Sequence, residues 1–378
     1  MTDSDSAKFN VVTEEHLRAL GDRLINASRD CSLSSSYRTL FTLKSLCQRA
    51  IAAANSHSVS TSPRSTTSLL NNDTSNSNSE SPSTQTPIII LPPNAEQVII
   101  SLLGKALHAP TVRSLLRHEL AYVLGQIGSP LAIPILEEVL SDVEGQEEMV
   151  RHESAEALAA LDSKGSVEIL RRFVDEGGKG EKGKVVRETC QISLRKIEWN
   201  ESEEGKDNGA IDRKFTSIDP APPFTTPSTS TEIDSLKRTL LDVTHSLFDR
   251  YRAMFSLRNI GTPEAIDALS AGFLDDNALF KHEIAFIMGQ LSHPHSIPAL
   301  VKVLERPDES PMVRHEAAEA LGGIAEEEGS SGQGTLRILR EWRDKPEAPE
   351  VVRESCIVAV DMWEYENSKE FEYANGLL

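Results

Sequence analysis

One short pattern, a basic residue followed by His-Glu, occurs four times in this chain and constrains its fold more than any other feature. The first two copies start 34 residues apart and the last two 33 residues apart. The first and third copies are separated by 164 residues, and the second and fourth by 163. The chain is therefore predicted to contain a two-repeat unit used twice. The copies are Arg117-His118-Glu119, Arg151-His152-Glu153, Lys281-His282-Glu283 and Arg314-His315-Glu316.

Apolar residues follow each motif histidine at positions +2, +5, +6 and +9. At about 100° per residue these positions form one stripe on a helix, on the side opposite the histidine. Such a stripe is typical of a helix packed against a core, so each histidine is expected to point away from the core. After His118 the stripe consists of Leu120, Val123, Leu124 and Ile127.

Small residues occupy positions +3 and +7 after each histidine. Three of the four +7 residues are glycines, namely Gly125, Gly289 and Gly322. Glycine within a helix costs roughly 0.5–1 kcal/mol relative to alanine, so local helix stability does not explain them. They are interpreted as leaving space beside the imidazoles for a metal and a substrate.

The repeat continues beyond the four His-Glu copies. Tyr37-Arg38 and Tyr251-Arg252 occupy the same frame before them, and Arg187-Glu188 and Arg353-Glu354 occupy it after them, all without histidine. Paired helices with a period of about 30–45 residues are typical of α-solenoids. The fold class predicted is all-α, a HEAT-like α-solenoid with two pseudo-symmetric halves of four helical-hairpin repeats each. Since only the inner repeats carry His-Glu, the pattern indicates a site rather than a stabilising device.

Composition divides the chain into three predicted parts. Residues 1–199 form the N-terminal half, 200–231 a flexible linker, and 232–378 the C-terminal half. Within the first half, 55–93 is expected to be a disordered insert, because 55–86 is almost entirely Ser, Thr, Asn and Pro. Such a stretch cannot bury enough apolar surface to offset its loss of conformational entropy.

The chain carries 58 acidic and 39 basic residues, a formal net charge of −19. This balance disfavours nucleic acid or an anionic membrane as partner and suits a cationic ligand. No apolar run approaches the roughly 18 residues of a membrane helix, and residues 1–10 do not resemble a signal peptide. A cytoplasmic location is expected, with a nuclear one left open. Cys31, Cys47, Cys190 and Cys356 do not suggest a disulfide framework, and Cys190 and Cys356 are expected to be buried small residues.

The residue types of the four copies point to a metal centre. Four imidazoles and up to four carboxylates, without thiolate, suit iron, manganese, zinc or nickel. Two halves related by a pseudo-twofold favour a dinuclear centre between them. Two histidines and one carboxylate per metal leave open positions, as in oxygen-activating non-haem iron. The candidate ligands are His118, Glu119, His152, Glu153, His282, Glu283, His315 and Glu316.

Two further sets of residues keep the same spacing from the motifs. The basic residue before each histidine is interpreted as forming a salt bridge between adjacent repeats, or as orienting the ligating glutamates. Met149 and Met312 each stand three residues before a motif histidine. Filling the core is the ordinary role of methionine, and a place lining the site is the alternative.

The motif segments at 116–126, 149–158, 281–290 and 311–322 closely resemble the deoxyhypusine hydroxylase family, whose members are HEAT-repeat di-iron monooxygenases. The resemblance implies hydroxylation of the deoxyhypusine side chain of the hypusine-containing translation initiation factor. It further implies two Fe(II) ions per chain, O2 as co-substrate and an electron donor that the sequence does not identify.

Carried onto this chain, the resemblance places one iron at His118, His152 and Glu153. The second iron is expected at the matching set His282, His315 and Glu316.

The same resemblance leaves the roles of two glutamates open. Glu119 and Glu283 are either metal ligands or catalytic and substrate-binding carboxylates that hold the amines of the substrate. Met149 and Met312 are counted with the substrate-binding candidates. Two other functions stay open beside this one: a non-catalytic HEAT-repeat scaffold, and another HEAT-like enzyme such as a bilin lyase.

Overall fold

The computed structural model of this protein describes residues 9–26, 32–59, 88–175, 183–207, 215, 217–224, 230–327 and 333–366. These residues are almost entirely helical. The exception is a pair of parallel strands, β1 (Phe9–Val11) and β2 (Ile88–Ile90), joined in the register Phe9 to Ile88. Among the described helices, none is both long and apolar enough to cross a membrane.

The helices of the first half run from the N-terminus to the segment between the halves. They are α1 (Glu14–Ile25), α2 (Leu33–Val59), α3 (Ala95–His108), α4 (Ser114–Ile127), α5 (Ile133–Ser141), α6 (Glu148–Ala160), α7 (Val167–Asp175), α8 (Lys184–Glu201) and α9 (Glu203–Asp207).

The helices of the second half repeat this order of hairpins. They are α10 (Ser230–Leu241), α11 (Leu247–Ile260), α12 (Pro263–Ala271), α13 (Ala278–Leu291), α14 (Ile297–Glu305), α15 (Pro311–Glu327), α16 (Gln333–Arg343) and α17 (Glu350–Glu366).

The helices pair into four hairpins per half, which confirms the predicted HEAT-like architecture. The second helices of neighbouring hairpins lie side by side, α4 on α6 and α6 on α8, and likewise α13 on α15 and α15 on α17. The halves also meet at both ends, because α8 packs on α11 and α17 packs on α2. Arg38 of α2 bonds Asp361 of α17 at 2.5 Å across one of these junctions. The second helices therefore enclose a common centre.

Turn chemistry fixes where several second helices of the hairpins begin and end. Gly128 (φ 78°) ends α4 and Gly261 (φ 66°) ends α11, both in the left-handed region that an L side chain rarely adopts. At the other end, the Asn277 side chain accepts a hydrogen bond from the Phe280 amide and caps α13. Two of these signals, at α4 and α13, bound helices that carry the motifs.

Each half has its own apolar core beneath the motif helices. The stripe that follows His118 is buried as predicted, with Leu120, Val123 and Leu124 fully inaccessible. Cys190 and Cys356 are also fully buried, which confirms their interpretation as small core residues. Cys47 is buried too, and Cys31 lies outside the described residues.

Ordered structure extends into the predicted disordered insert from both sides. Helix α2 continues past residue 55 to Val59, and the strand Ile88–Ile90 falls within the stretch 55–93 predicted as disordered. The strand forms because three consecutive isoleucines pair with β1, and Ile89 packs against the core. Residues 60–87 of the insert lie outside the described residues.

Two parts of the segment between the halves are ordered where a flexible linker was predicted for 200–231, and residues 208–214, 216 and 225–229 of that linker lie outside the described residues. Helices α8 and α9 extend to residue 207, and 217–224 is tied to the helices on which it lies. Here the Phe224 amide donates to Ser256 Oγ at 2.8 Å, and Ala221 is fully buried. These contacts hold residues 217–224 in place. The proline-rich composition of the segment did not predict this order.

Candidate metal centre

The four motif histidines meet at the centre of the ring of helices. The rings of His118 and His152 lie 5.3 Å apart between centroids, and those of His282 and His315 lie 5.4 Å apart. Across the two halves, His118 is 5.5 Å from His315 and His152 is 5.5 Å from His282. The predicted dinuclear position between the halves is therefore where the imidazoles converge.

The histidines point away from the apolar stripes, as expected, but they are not exposed. The most accessible of them, His118, is only 6% exposed, and His315 is fully inaccessible. Closure of the solenoid explains this, because the face opposite the core of each helix turns toward the other half. The helical periodicity of one helix places its histidine opposite the core, but it does not predict that the other half of the chain covers that histidine.

The three glycines at +7 serve the contact between neighbouring helices, so their interpretation as space for a metal and a substrate was wrong. A Cβ on Gly125 would lie 2.9 Å from the Cα of Ala157 in the next motif helix. One on Gly289 would lie 3.1 Å from the Cα of Ala320, and one on Gly322 would meet a side chain of α17 at 2.6 Å. Glycine is needed there because the backbones approach closely.

Glutamates of one repeat reach the histidine of the preceding one. Glu153 Oε2 lies 3.3 Å from His118 Nε2, and Glu316 Oε2 lies 3.3 Å from His282 Nε2. The donor atoms of His118, His152 and Glu153 all fall within 4.8 Å of one another, and so do those of His118, His282 and His315. The imidazoles thus form one continuous cluster with a carboxylate on each side.

The nitrogens of these rings fit a metal. Both ring nitrogens of His152, His282 and His315 are buried and have no hydrogen-bond partner among the described residues. A buried polar atom without a partner costs about 1–3 kcal/mol, and native proteins ordinarily satisfy such atoms. A first-row divalent metal would satisfy them, because neutral imidazole and carboxylate are ligands it accepts. The residues present therefore suit the predicted centre.

Electrostatics favour neutral imidazoles in most of the cluster. Burial, reinforced by the charge of His118, lowers the pKa of His282 to about 3, and burial lowers the pKa of His152 well below its usual value. Burial also acts against charge on His118, but the adjacent Glu153 carboxylate outweighs it and raises that pKa to about 9. A metal therefore meets neutral imidazoles at His152 and His282, whereas the His118 ring must lose its proton before it can bind, since only neutral imidazole binds a metal.

Glu119 and Glu283 lie on the wall of a central cavity of about 150 Å³. Burial raises the pKa of Glu119 to about 8 and that of Glu283 well above its usual value. In the described part of the chain, neither belongs to a group of side chains whose donor atoms lie within 4.8 Å of one another. Their position suits contact with a bound substrate, and a ligand role for them stays a prediction.

Four residues at the wall of this cavity were missed from the sequence. They stand at +4 from the motif histidines, one turn further along the same helix face. That spacing was the signal that could have identified them. The missed residues are Tyr122, Glu156, Phe286 and Glu319.

Two of the missed residues meet across the pseudo-twofold, and a third, Glu319, makes its contacts within the second half. The rings of Tyr122 and Phe286 meet edge to face, with centroids 5.9 Å apart. Glu319 accepts a hydrogen bond from Ser355 at 2.9 Å, and its carboxylate lies 3.6 Å from His315 Nδ1. The cavity thus combines an aromatic contact with carboxylates, which suits a ligand that is aliphatic and positively charged.

Two of the basic residues before the histidines join adjacent repeats, as interpreted. Arg117 bonds Glu147, just before the next motif helix, at 2.5 Å. Lys281 bonds Glu309 in the same way at 2.6 Å. Both cations are buried, so each pair fixes one motif helix against the next.

The other two basic residues bind backbone instead. Arg151 Nε donates to the Leu140 carbonyl at the end of α5, and Arg314 Nε donates to the Leu304 carbonyl at the end of α14, each at 3.0 Å. Each tethers the first helix of its own hairpin to the second. The other interpretation was that the basic residues orient the ligating glutamates. The hydrogen bonds of Arg151 and Arg314 to backbone carbonyls do not support it at these two positions.

Met149 and Met312 lie in apolar packing away from the cavity wall. Met312 is buried in the core of the second half, and Met149 packs against the core of the first. Neither side chain lines the central cavity. The ordinary role of methionine in filling a core accounts for both, so the structure does not support placing them with the substrate-binding residues.

Comparisons with known proteins agree with this fold. A family model described as HEAT repeats matches residues 100–195 and 273–361. A second, described as a PBS lyase HEAT-like repeat, matches residues 249–275. The second match covers α11 and α12, a segment without histidine, so it extends the repeat architecture to that part of the chain and does not reach the metal centre.

Curated relatives from fungi and a vertebrate share one name, deoxyhypusine hydroxylase. The relative from Candida albicans is 48% identical over 260 residues, covering 69% of this chain and 78% of that protein. The relative from Phaeosphaeria nodorum is 47% identical, covering 75% and 85%, and that from Danio rerio is 48% identical, covering 70% and 81%.

A solved structure gives the same result. The structure of human deoxyhypusine hydroxylase in complex with glycerol matches with a TM-score of 0.69 and 35% identity, covering 93% of this chain and 97% of the human one. The match therefore spans both halves of the chain. The chain belongs to the deoxyhypusine hydroxylase family, a family of enzymes with HEAT-like repeats.

Proposed function

We propose that this chain hydroxylates the deoxyhypusine side chain of the hypusine-containing translation initiation factor, with O2 as oxidant, at a centre of two iron ions. Family membership supports the reaction. The observation that carries the proposal is the central cluster of buried imidazoles, in which both ring nitrogens of His152, His282 and His315 make no hydrogen bond within the described residues. A non-catalytic scaffold has no use for such a cluster, because burying unpaired polar atoms destabilises it.

One iron is assigned to His118, His152 and Glu153, whose donor atoms lie within 4.8 Å of one another. The pseudo-equivalent His282 and Glu316 show the same 3.3 Å contact, which supports a second site on the other half with His315. Iron at these positions would supply the activation of dioxygen, which protein side chains alone do not perform.

The side chains around the centre bind and orient the substrate. Deoxyhypusine is a lysine extended by an aminobutyl group, so it carries two ammonium groups joined by methylenes. Glu119 and Glu283 face the cavity and suit the ammonium groups, while Tyr122 and Phe286 offer apolar surface to the methylenes between them. Placing a reactive carbon beside the metals in a buried site excludes water and fixes its orientation.

The test uses purified protein loaded with Fe(II), a reductant and the deoxyhypusine form of the initiation factor. Mass spectrometry under labelled dioxygen should find one labelled oxygen atom in the modified side chain. His152→Ala should abolish this product with the helical circular dichroism unchanged. His245→Ala, which changes an exposed histidine outside the motifs, should leave it intact. An unlabelled product, or none from iron-loaded wild-type protein, contradicts the proposal.

A further inference from the structure

The central cavity extends from the histidines toward the carboxyl ends of the motif helices. Every residue that lines it is a motif histidine or stands one or four positions after one. On the other side of the histidines, three positions before His118 and His282, Leu115 and Leu279 are buried in the two apolar cores. A substrate side chain therefore reaches the histidines from the carboxyl ends of these helices.

Residues 217–224, the strap, cross between the two halves at this end of the cavity. Gln126 of α4 and Gln290 of α13 each stand eight residues after a motif histidine. Gln126 accepts a hydrogen bond from the Ile218 amide at 3.0 Å, and Gln290 donates one to Ser217 Oγ at 2.9 Å. The first residues of the strap are thus tied to both halves.

The crossing lies one helical turn beyond the aromatic wall of the cavity. Tyr122 and Phe286 stand four residues before the two glutamines, and residues four apart share a helix face. The contact between the two rings joins α4 to α13 across the ring of helices. It separates a side bordered by α11, which packs on α8 and α13, from a side bordered by α2, which packs on α17 and α4.

The strap covers the side bordered by α11. Asp219 accepts two hydrogen bonds from the guanidinium of Arg258 in α11, at 2.8 and 2.7 Å. Further along, the Phe224 amide is bound by Ser256 of the same helix. Arg258 is only 3% exposed, so the strap is built into this side rather than resting on its surface.

Helix α2 repeats the sequence of this part of α11, but its aromatic residue is uncovered. Residues 37–44 (YRTLFTLK) match residues 251–258 (YRAMFSLR) position by position. Phe255 is fully buried, with its ring centroid 4.8 Å from the guanidinium carbon of Arg258. The matching Phe41 is 38% exposed, and the ammonium of the matching Lys44 lies 5.8 Å from its centroid. The pseudo-twofold is therefore broken at this position.

The two matching arginines bind different parts of the chain. Arg252 of α11 donates from Nε to the carbonyl of Pro222 in the strap, at 3.3 Å. Arg38 of α2 bonds Asp361 of α17 and stacks at 4.6 Å from the centroid of Tyr365 in the same helix. One arginine holds the strap, and the other joins the ends of the ring.

The uncovered side leads to the wall of the cavity. The Lys44 ammonium, close to Phe41, also lies 5.6 Å from the ring centroid of Tyr122, which lines the cavity. On the same side, the side chain of Glu319 in the cavity wall is 24% exposed. One turn further along α15, a Cβ added to Gly323 would meet nothing within 4 Å. Open space therefore borders the cavity between α2 and α15.

We propose that the strap closes one of two pseudo-equivalent openings of the cavity, and that the substrate enters through the other, with its backbone beside Phe41 of α2. The deoxyhypusine side chain is long and unbranched, so the backbone that carries it stays at the opening while the chain reaches the histidines. This inference rests on the proposed function and adds a direction of entry, which the symmetric motifs do not define.

The first test replaces Phe41 or, as the matched control, Phe215 by the photoreactive p-benzoylphenylalanine. Phe215 marks the closed side, because its ring lies 4.3 Å from the guanidinium carbon of Arg258. Iron-loaded protein kept free of oxygen is irradiated with a peptide that contains Nε-(4-aminobutyl)lysine. Mass spectrometry should find the peptide cross-linked to position 41 and not to position 215. No cross-link at 41, or a cross-link at 215, overturns the proposal.

The second test blocks the open side reversibly. Phe41→Cys is labelled through a disulfide in a Cys31→Ser background, because the other three cysteines are buried. Calorimetry should show that a bulky label abolishes peptide binding, that a methylthio label does not, and that a thiol reductant restores binding. The bulky label on Leu131→Cys, at an exposed position beside α5, should leave binding intact.

Peptide binding that survives the bulky label at position 41 overturns the proposal. So does equal loss of binding with the label at position 131, because the effect would then not be specific to the opening. Wild-type protein that neither binds nor hydroxylates the peptide contradicts the proposed function itself, which is a different result from a cross-link or a block at the wrong position.

Discussion

The Nε2 atom of His118 lies 3.3 Å from the Oε2 atom of Glu153, across the contact between two adjacent repeats. The histidine of one motif therefore meets the glutamate of the next, and neither His-Glu pair acts as a unit. The same relation recurs in the second half at the same distance. A metal site of this kind depends on the distance between the two helices that carry its ligands.

Gly125→Ala is expected to lower both stability and iron content. The added Cβ would lie 2.9 Å from the backbone of Ala157 and push apart the helices that carry His118 and His152. Overpacking of this kind costs about 1–3 kcal/mol, more than the ~1 kcal/mol that alanine contributes to a helix. Urea unfolding and metal analysis check the two effects.

The matched control for that change is Gly323→Ala in α15. A Cβ there meets nothing within 4 Å, so only the gain in helix propensity applies and stability should rise by about 0.5–1 kcal/mol. Equal behaviour of the two variants would contradict the role of Gly125 as a contact between helices.

Removal of iron should lower the melting temperature by several degrees. Metal that binds only the folded state stabilises it, by about 2.7 kcal/mol at a concentration a hundredfold above Kd. By the same reasoning His152→Leu should stabilise the metal-free protein by about 1 kcal/mol, because it removes a buried ring without partners among the described residues. Scanning calorimetry with and without a chelator tests both. Identical melting of the two forms argues against the centre.

The stability of the metal-free protein should fall as pH rises from 6.5 to 9. Burial opposes charge on His118, but Glu153 outweighs it and raises the pKa from 6.5 to about 9. Between these values the folded state binds more protons than the unfolded state, so the free energy of unfolding decreases, by at most about 1.4 kcal/mol per pH unit for one group. Burial raises the pKa of Glu316 to about 8, which adds a loss of the same sign up to that pH.

Urea unfolding of metal-free protein at pH 6.5 and pH 9 measures this loss. His118→Gln removes the titrating ring and should make the difference between the two pH values smaller. A free energy of unfolding that is constant or rises over this range would contradict the assignment of the proton to His118.

The repeat spacing predicted the helices, their pairing and the convergence of the motif histidines, because a helical frame repeated at a fixed period places equivalent residues on equivalent faces. It could not predict the closure of the ring, which depends on contacts such as that between Arg38 and Asp361 at great separation in sequence. Burial of the imidazoles follows from that closure. The packing role of Gly125 was missed for a related reason, because the periodicity of one helix does not predict which residues of the neighbouring helix lie against it.

The segment around Asp219 escaped prediction for another reason. Its order comes from side chains of α4, α11 and α13 that accept or donate hydrogen bonds to it, and not from its own composition. A proline-rich stretch within polar sequence is interpreted as a linker unless its partners are known. In contrast, the residues at +4 from the motif histidines could have been predicted, because the helical periodicity that identified the apolar stripe also places +4 on the histidine face.

Phe286→Ala should raise KM about tenfold while leaving iron content unchanged. The variant removes the edge-to-face contact with Tyr122 and the apolar wall offered to the methylenes of the substrate. Burying a large aromatic surface contributes about 1.5–3 kcal/mol, and part of that is lost here. Phe286→Tyr reproduces the residue of the other half and should behave as wild type. A loss of kcat and iron in Phe286→Ala with unchanged KM would contradict this role.

Iron stoichiometry tests the central claim most directly. Protein reconstituted with Fe(II) without oxygen, then freed of unbound metal, should retain two irons per chain, and His152→Ala should retain fewer with its helical content intact. Wild-type protein that retains no iron, or a His152→Ala variant that retains as much as wild type, would contradict the assignment of the four converging histidines to a di-iron centre.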